Sequence, residues 1–201
     1  MSSEPAHLAV TYNEVHRSLR SAADKIRDEF NPDVLIAIGG GGFFPARVLR
    51  TFLKNPDTKT NIPIYAIGLS LYESLPGTTA EQIGEQVVRT QWLGPETSKA
   101  LVGRRALIVD EIDDSRKTLQ YAITELQADV EKELLSLPEP EREAARTKFG
   151  IFVVHNKRKP KVGVIPSDIA YFVGEECDDV WLDYPWEATD IDAHDQAASR
   201  A

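Results

Sequence analysis

Four carboxylates lie within five residues near the middle of the chain. An apolar run at residues 107–109 leads into Asp110 and Glu111, and Asp113 and Asp114 follow. The run predicts a buried strand, so the acids would lie at its carboxyl end, where open α/β sheets bind ligands. Repulsion among these carboxylates is tolerable beside a cation or a hydrogen-bonding ligand. Magnesium fits, because it takes few protein ligands and keeps substrate and water oxygens.

The next residues could bind a phosphate group. Ser115, Arg116, Lys117 and Thr118 combine two hydroxyls with two cations, and they are expected to open a helix. Helix N-termini bind phosphate through free backbone N–H groups and the helix dipole. One short segment therefore offers carboxylates for a metal or a diol, together with a cradle for a phosphate monoester.

A second candidate for anion binding is the glycine run at residues 39–42, between an apolar run and a predicted helix. Four successive glycines can form an anion nest, although a tight turn is the alternative. Phe44 and Pro45 break both the dinucleotide fingerprint and the P-loop pattern. Arg47, in the following helix, could close over an anion or remain solvated.

Composition narrows the class of protein. The chain has 201 residues, 42% of them hydrophobic, which predicts one α/β domain over 1–201. A formal net charge of −9 argues against a nucleic-acid or membrane binder, although the basic residues 157–161 could serve one anionic ligand. A single cysteine, Cys177, fits a reducing compartment, and no signal peptide or long apolar span is evident. We expect a cytoplasmic protein, with the nucleus as a further location.

Periodicity predicts strands alternating with helices. Helices are expected at 14–29 (with Asn13 as N-cap), 43–53, 118–135 and 138–147, and strands at 34–38, 62–71, 87–93, 107–109, 149–154 and 169–173. Residues 72–86 are interpreted as a mobile loop, and the tail from 190 as flexible. The pattern indicates a mostly parallel sheet flanked by helices, with a small C-terminal lobe. His155 lies at a strand end, where a structural role is favoured over catalysis.

At residues 107–119 the chain resembles the phosphoribosyl-diphosphate-binding motif of type I phosphoribosyltransferases. The glycine run resembles that family's pyrophosphate loop. Residues 181–187 are similar to the base-binding hood of the 6-oxopurine members. The resemblance to the fungal hypoxanthine-guanine and xanthine phosphoribosyltransferases extends over nearly the whole chain.

This resemblance implies roles for the acidic segment. Asp110 and Glu111 would hold the 2′- and 3′-hydroxyls of the ribose, directly or through magnesium. Asp114 would also face N7 of the purine as the catalytic carboxylate. The residues that would wrap the 5′-phosphate are Asp114, Ser115, Arg116, Lys117 and Thr118. The family usually has glycine where Arg116 stands, which is a departure from its pattern.

The resemblance also implies the remaining subsites. Gly40 and Gly41 would flank the pyrophosphate, with a non-proline cis peptide in this loop and with Arg47 nearby. Residues 70–90 would form a lid and residues 155–190 the hood, and Glu187 would lie near the second magnesium. The expected base-binding residues are Lys157, with Lys159 as its competitor, and Trp181 and Leu182. For Trp181, core packing is the alternative.

The function implied is purine salvage. A magnesium-dependent homodimer would transfer a phosphoribosyl group from 5-phosphoribosyl 1-diphosphate (PRPP) to hypoxanthine or guanine, with xanthine open, and release pyrophosphate. The rival hypotheses are a xanthine-preferring enzyme and a non-catalytic nucleotide-binding regulator of the same fold. Positioning, a metal on the leaving group and exclusion of water suffice for this reaction, so the lack of a nucleophilic triad agrees with it.

Overall fold

The computed structural model of the chain describes residues 6–54, 59–74 and 81–200, and residues 71–74 and 81–86 by their backbone alone. Its strands are β1 His7–Ala9, β2 Val34–Gly39, β3 Ile64–Ser74, β4 Glu81–Gln91, β5 Arg105–Asp113, β6 Lys148–Lys157, β7 Ala170–Cys177 and β8 Trp181–Asp183. Its helices are α1 Tyr12–Glu29, α2 Phe43–Phe52, α3 Pro95–Leu101, α4 Lys117–Leu134, α5 Glu139–Arg142 and α6 Ile191–Ala198.

Six of these strands form one sheet in the order β4-β3-β2-β5-β6-β7. Every neighbouring pair is parallel except β3 and β4, which are antiparallel. The predicted fold class, a mostly parallel sheet flanked by helices, is therefore confirmed. Within the described residues, no helix is both long enough and apolar enough to cross a bilayer.

Alternate side chains of the central strands pack against helices on opposite faces of the sheet. One face carries α1 and α2, and its buried residues include Leu19, Leu35, Leu49, Leu107, Val109 and Phe152. The other face carries α4 and α3, with Ile36, Ile38, Leu101, Ile108, Ile123 and Leu126 among its buried residues. Burial on both faces is why these strands are continuously apolar.

Strand order reverses between β2 and β5. The chain runs from β2 through α2 to β3 on one side, and from β5 through α4 to β6 on the other. Their carboxyl ends therefore diverge at a topological switch point, which is where such sheets form a crevice for ligands. The glycine run follows β2, and the acidic segment ends β5, so the fold brings both candidate sites to this point.

The chain termini form a smaller unit. β1 and β8 pair in parallel as a separate two-stranded sheet. The tail that was expected to be flexible forms α6, which corrects that prediction. The Asp190 carboxylate accepts from the Ala193 N–H at 3.0 Å and caps the helix, and His194 Nε2 lies 2.9 Å from the Val10 carbonyl oxygen. Local capping and one tertiary contact thus order a polar segment.

Two further predictions need correction. Most of the expected loop at 72–86 is strand, because β3 runs to Ser74 and β4 begins at Glu81, and the two pair with register shifts. Backbone pairing does not require the apolar alternation that the sequence lacks there. Residues 75–80 of the predicted lid lie outside the described residues. The N-cap of α1 is Thr11, not Asn13, and it forms a capping box with Glu14.

Candidate active site

The glycine run and the acidic segment meet at the carboxyl ends of β2 and β5. Ala37 pairs with Val109, so Gly39 and Glu111 lie level with one another at the sheet edge. A Cβ atom on Gly41 would overlap the Glu111 carboxylate, and one on Gly42 would lie 2.5 Å from the carbonyl oxygens of Ile38 and Val109. The glycines are therefore required for close approach. The cis peptide expected in this loop is the Gly39–Gly40 bond.

The two acids that end β5 lie in different environments. Asp110 is buried and its Oδ1 accepts the Glu111 N–H at 3.0 Å. Burial, followed by the negative charge of Glu111, raises the pKa of Asp110 well above its usual range. Glu111 is half-buried against the glycine loop, and its Oε2 atom is buried with no hydrogen-bond partner in the described part of the chain. The pair is suited to a cation or to hydroxyl donors.

Glu187, the third predicted metal residue, lies within electrostatic reach of this pair. Burial, then the charges of Glu111 and Asp183, raise the pKa of Glu187. Among the residues whose side chains the structure describes, no three His, Cys, Asp or Glu side chains are grouped closely enough to hold a metal ion. The acids present would therefore fit magnesium only if it also took oxygens from substrate and water, as this ion commonly does.

The predicted phosphate segment forms a half-buried loop, residues 114–118, that leads into the first turn of α4. The helix begins at Lys117, so the loop residues precede or open it, as predicted. The Ser115 hydroxyl accepts the Lys117 N–H at 3.4 Å. The Arg116 guanidinium, in contrast, turns toward Asp113, and its Nε lies 2.8 Å from the Asp113 carboxylate. Its backbone remains part of the loop.

Both candidate base-contacting lysines reach the same carboxylate. The buried Lys157 Nζ lies 3.5 Å from Asp114 Oδ2 and 3.6 Å from Asp179 Oδ1. Lys159 Nζ lies 2.5 Å from Asp114 Oδ1 and 2.9 Å from Asp179 Oδ1. Partial burial lowers the pKa of Lys159, but its hydrogen bonds to these two acids outweigh that effect and raise it.

The basic residues 157–161 do not face one anion together, which corrects that interpretation. Arg158 pairs with Asp178 at 2.5 Å, and Lys161 donates to backbone carbonyls of the acidic segment. The cluster is therefore divided among several acidic partners.

The hood residues have distinct environments. Trp181 is 51% exposed, so an indole face is available for stacking, whereas the side chain of Leu182 is buried in the core below it. Only the backbone of Leu182 could meet a base edge. Trp186 stacks in parallel between Tyr184 and Phe44, with ring centroids 4.6 and 5.5 Å away, so it belongs to an aromatic column.

Arg47 does not close over the glycine run in this structure. Its Nη1 atom donates to the Thr51 hydroxyl one turn later on α2 at 3.1 Å, and the side chain is exposed. A guanidinium on the first half of α2 could reach the loop only by changing its rotamer.

His155 has a structural partner, in agreement with the interpretation favoured from sequence. It is buried, and its Nδ1 lies 2.8 Å from the Tyr184 hydroxyl, which donates to the Glu111 carbonyl oxygen at 3.0 Å. This chain of bonds requires His155 Nδ1 to be the donor. Burial lowers the pKa of His155 to about 4. The imidazole therefore supports the backbone beneath Glu111 as a neutral group.

Three relatives match nearly the full chain, while no family model matches it. The hypoxanthine-guanine phosphoribosyltransferase of Schizosaccharomyces pombe is 51% identical over 203 residues, covering 98% of this chain and 97% of that protein. The chain belongs to this phosphoribosyltransferase family. Xanthine phosphoribosyltransferase 1 of Saccharomyces cerevisiae is 42% identical, covering 97% of this chain and 96% of that protein. The predicted resemblance is confirmed, and the chain is a pentosyltransferase of the purine-salvage family.

Solved structures share the fold of this chain. A protein of Neisseria gonorrhoeae with bound ppGpp has a TM-score of 0.75 and 38% identity, and 98% of each chain is covered. The purine phosphoribosyltransferase of Pyrococcus horikoshii has a TM-score of 0.61 at 24% identity, covering 92% of this chain and 96% of that one. The second likeness concerns the fold alone.

Sequence reasoning missed several residues that shape this phosphoribosyltransferase site. Asp179 is the second carboxylate between the two lysines, and Tyr184 connects His155 to the backbone of Glu111. Lys161 contacts the acidic segment from the hood side. Matching the basic residues 157–161 to acidic residues that can pair with them could have suggested Asp179. No local pattern could have paired Tyr184 with Glu111, which lies 73 residues earlier.

The first prediction concerns Gly41. We expect Gly41→Ala to leave the free energy of unfolding nearly unchanged, because the overlapping atom is the end of the flexible Glu111 side chain. Displacing this carboxylate should lower PRPP-dependent nucleotide formation about 100-fold. Gly42→Ala should instead destabilise the fold by about 1–3 kcal/mol, because its new methyl group would meet two backbone oxygens. Urea unfolding and initial rates measure the two effects.

Gly94→Ala is the matched control for Gly41→Ala, because a Cβ there meets nothing within 4 Å. It should change neither quantity by much. Full activity in Gly41→Ala, with normal stability, would contradict the close approach of the loop to Glu111.

The second prediction concerns the charge state of His155. The unfolded imidazole has the ordinary pKa of 6.5 and the folded one about 4, so the unfolded state binds the proton first as the pH falls. This contribution to stability is complete above pH 6.5 and is lost as the pH falls toward 4. Between pH 7 and 5 the loss should be about 2 kcal/mol. His155→Gln, which keeps a donor, should lose less stability over that interval in urea titrations, and equal losses would refute the assignment.

Proposed function

We propose that this enzyme transfers the 5-phosphoribosyl group of PRPP to hypoxanthine or guanine and releases pyrophosphate. The product would be the corresponding nucleoside monophosphate. The observation that carries the proposal is the placement of the Glu111 carboxylate, next to Asp110, against the Gly41 backbone at the switch point of the sheet. Carboxylates that could bind the ribose diol therefore lie next to a glycine backbone that an anion could approach. A sugar diphosphate requires both groups side by side.

The chain's own residues would divide the work along the sheet edge. The 114–118 loop would bind the 5′-phosphate through backbone N–H groups and the hydroxyls of Ser115 and Thr118. Asp110 and Glu111 would accept hydrogen bonds from the ribose 2′- and 3′-hydroxyls. Gly40 and Gly41 would admit the diphosphate close to the backbone. These contacts hold the sugar with its C1 atom open to the hood side.

The chemical step is a displacement at ribose C1. A ring nitrogen of the purine forms the new C–N bond while the C1–oxygen bond breaks, and its electron pair leaves with the pyrophosphate. The purine must lose a proton, and the Asp114 carboxylate is proposed to accept it or to hold it at N7. Lys157 and Lys159 already contact this carboxylate in the free enzyme.

A divalent cation completes the proposed site. Magnesium, when bound, would neutralise the charge that develops on the departing pyrophosphate. The Glu111 Oε2 atom, which has no hydrogen-bond partner among the described residues, supports a cation at this end of β5. Bound there, the cation would offset the burial and the Glu111 charge that raise the pKa of Asp110. Glu187 could reach the same ion through water.

Donor groups near Asp114 favour a 6-oxopurine. A lysine ammonium can donate to a 6-oxo oxygen but not accept from the 6-amino group of adenine, so adenine would leave the ammonium unpaired. Trp181 offers the half-exposed ring on which a purine could stack. The Neisseria neighbour binds ppGpp, a guanine nucleotide, which supports recognition of guanine by this fold.

Xanthine is the second candidate base. Xanthine has oxygens at both C2 and C6, and two lysines converge on the hood side of Asp114. The relative named xanthine phosphoribosyltransferase 1 supports this alternative. The regulator hypothesis has less support, because the acids, both lysines and the glycine loop are all present.

We also propose that the enzyme acts in the cytoplasm as a homodimer. Its free thiol, Cys177, is buried and fits a reducing compartment. Tyr12, Phe43 and Phe44 are large side chains that remain exposed beside the glycine loop, and covering them in a dimer would remove apolar surface from water.

The third prediction is a panel of bases. With PRPP and magnesium, the enzyme should convert hypoxanthine and guanine to nucleotides, use adenine at least about 100-fold less well, and lose activity in excess chelator. Asp114→Asn should lower kcat by about 100-fold or more with little change in PRPP affinity. Spectrophotometric initial rates measure each quantity. Tight PRPP binding without turnover of any base would favour the regulator, and a dominant rate with xanthine would favour the alternative enzyme.

The fourth prediction separates the two lysines. Lys157→Ala should raise the KM for guanine more than the KM for PRPP, because Lys157 is buried beside Asp114 and would donate to the base. Lys159→Ala should have the smaller effect, because its ammonium is more exposed and already held by Asp179. Arg158→Ala, which removes an exposed cation between them, is the control. The opposite order would assign the base contact to Lys159.

A further inference from the structure

The turn between β5 and α4 contains a left-handed residue that is not glycine. Arg116 has φ 70° and ψ 0° and immediately precedes the first residue of α4. Side chains with a Cβ are disfavoured in this conformation, which glycine adopts freely. Arg116 therefore needs tertiary contacts that hold it there.

Those contacts lie beneath the loop. Arg116 Nε is 2.8 Å from Oδ2 of Asp113, and the Tyr171 hydroxyl donates to the same oxygen at 2.6 Å. The Arg116 guanidinium also lies over the Tyr171 ring, 5.1 Å from its centroid. The Asp113 side chain is fully buried. A buried carboxylate needs paired charge and hydrogen bonds, so the guanidinium is engaged in satisfying Asp113.

The backbone carbonyl groups of the loop accept hydrogen bonds from residues 161–163, which we call the hood segment. Lys161 Nζ donates to the backbone oxygens of Asp113 at 2.5 Å and Asp114 at 3.0 Å. The N–H groups of Val162 and Gly163 both donate to the Ser115 oxygen at 3.0 Å. Three successive carbonyl groups thus accept hydrogen bonds from one short stretch.

Gly163 sets how closely that stretch can approach. A Cβ atom there would overlap the carbonyl group of Arg116. Because the peptide unit is planar and trans, a carbonyl fixed on one side directs the N–H of the next residue to the opposite side. Holding the carbonyls of residues 113–115 therefore aims the N–H groups of residues 114–116 away from the hood segment.

We propose that this arrangement holds the phosphate-binding N–H groups in place before the substrate arrives, and that the Arg116 guanidinium is not itself a phosphate ligand. The positioning residues are Asp113, Arg116, Lys161 and Tyr171. The inference rests on the proposed function for the identity of the anion. It deepens that function by assigning a role to Arg116 and Lys161, the cations nearest the loop. Their side chains hold the loop in place and do not bind the phosphate.

The test compares two substitutions of Arg116. Both remove the guanidinium, but Arg116→Ala retains the unfavourable left-handed residue, whereas Arg116→Gly does not. We expect Arg116→Ala to raise the KM for PRPP about tenfold and Arg116→Gly only about threefold, with the KM for guanine nearly constant. A direct phosphate contact would make the two losses equal, and that result would overturn the proposal.

Lys161→Met tests the carbonyl side independently, because it keeps the unbranched stem and removes the donor. It should raise the KM for PRPP about tenfold in enzyme that is still folded at the assay temperature, whereas Lys132→Ala, which removes an exposed cation later on α4, should not. An unchanged KM in Lys161→Met overturns the proposal. Should Arg116→Ala not fold, Lys161→Met against Lys132→Ala decides the question.

Hydrogen exchange separates this inference from the proposed function. In the absence of ligand, the N–H groups of residues 114–118 should exchange faster in Lys161→Met than in the wild type, and equal rates would overturn the proposal. A wild-type protein that makes no nucleotide with any base would refute the proposed function, while leaving the exchange comparison valid.

Discussion

The approach of the Gly41 backbone to the Glu111 carboxylate is the constraint on which the site depends. It exists because β2 and β5 are parallel neighbours whose connections leave in opposite directions, so their carboxyl ends border one crevice. Gly42 packs between two strand carbonyl groups just below. A side chain at Gly41 would displace the Glu111 carboxylate, and one at Gly42 would push the loop backbone away from the strand carbonyl groups.

Charge is divided unevenly along this sheet edge. At the end of β5, no described side chain forms an ion pair with Asp110 or Glu111, and burial favours proton uptake by Asp110. Toward the hood, Asp114 and Asp179 are matched by two lysines, and Asp113 by Arg116. The uncompensated end is suited to a metal or a diol, and the compensated end to a neutral base that exchanges a proton. The chain's net charge of −9 shows nothing of this division.

The loops proposed to bind substrate are attached to the main sheet and its helices. The 114–118 loop is held from the hood side, and α4 extends from it along one face of the sheet. β4 is connected to the same helix, because Arg89 Nε donates to the Tyr121 hydroxyl at 3.0 Å and the Arg89 guanidinium lies 5.6 Å from the Tyr121 ring centroid. The base of the β3–β4 hairpin and the phosphate loop therefore share one helix as their support.

Much of the fold followed from local pattern. The apolar runs of β2 and β5, the periodicity of α1 and α4, and the position of the glycines and acids predicted a parallel sheet with both candidate sites at one edge. The type of a strand, the buried face of a helix and the position of a turn depend on residues that are close together in the chain. They can therefore be predicted from a single sequence. The strand at residues 81–86 and the helix α6 were missed, because backbone pairing and a side-chain cap order segments that are polar.

The partner of each charged side chain could not be predicted from the local sequence pattern. Arg116 and Lys161 are cations beside a phosphate loop, and composition suggests that they bind the anion. The folded chain instead presents each with a partner from a distant segment, Tyr171 with Asp113 for the first and backbone carbonyls for the second. A long cationic side chain binds the strongest acceptor within its reach, and only the assembled sheet and hood establish which acceptor that is.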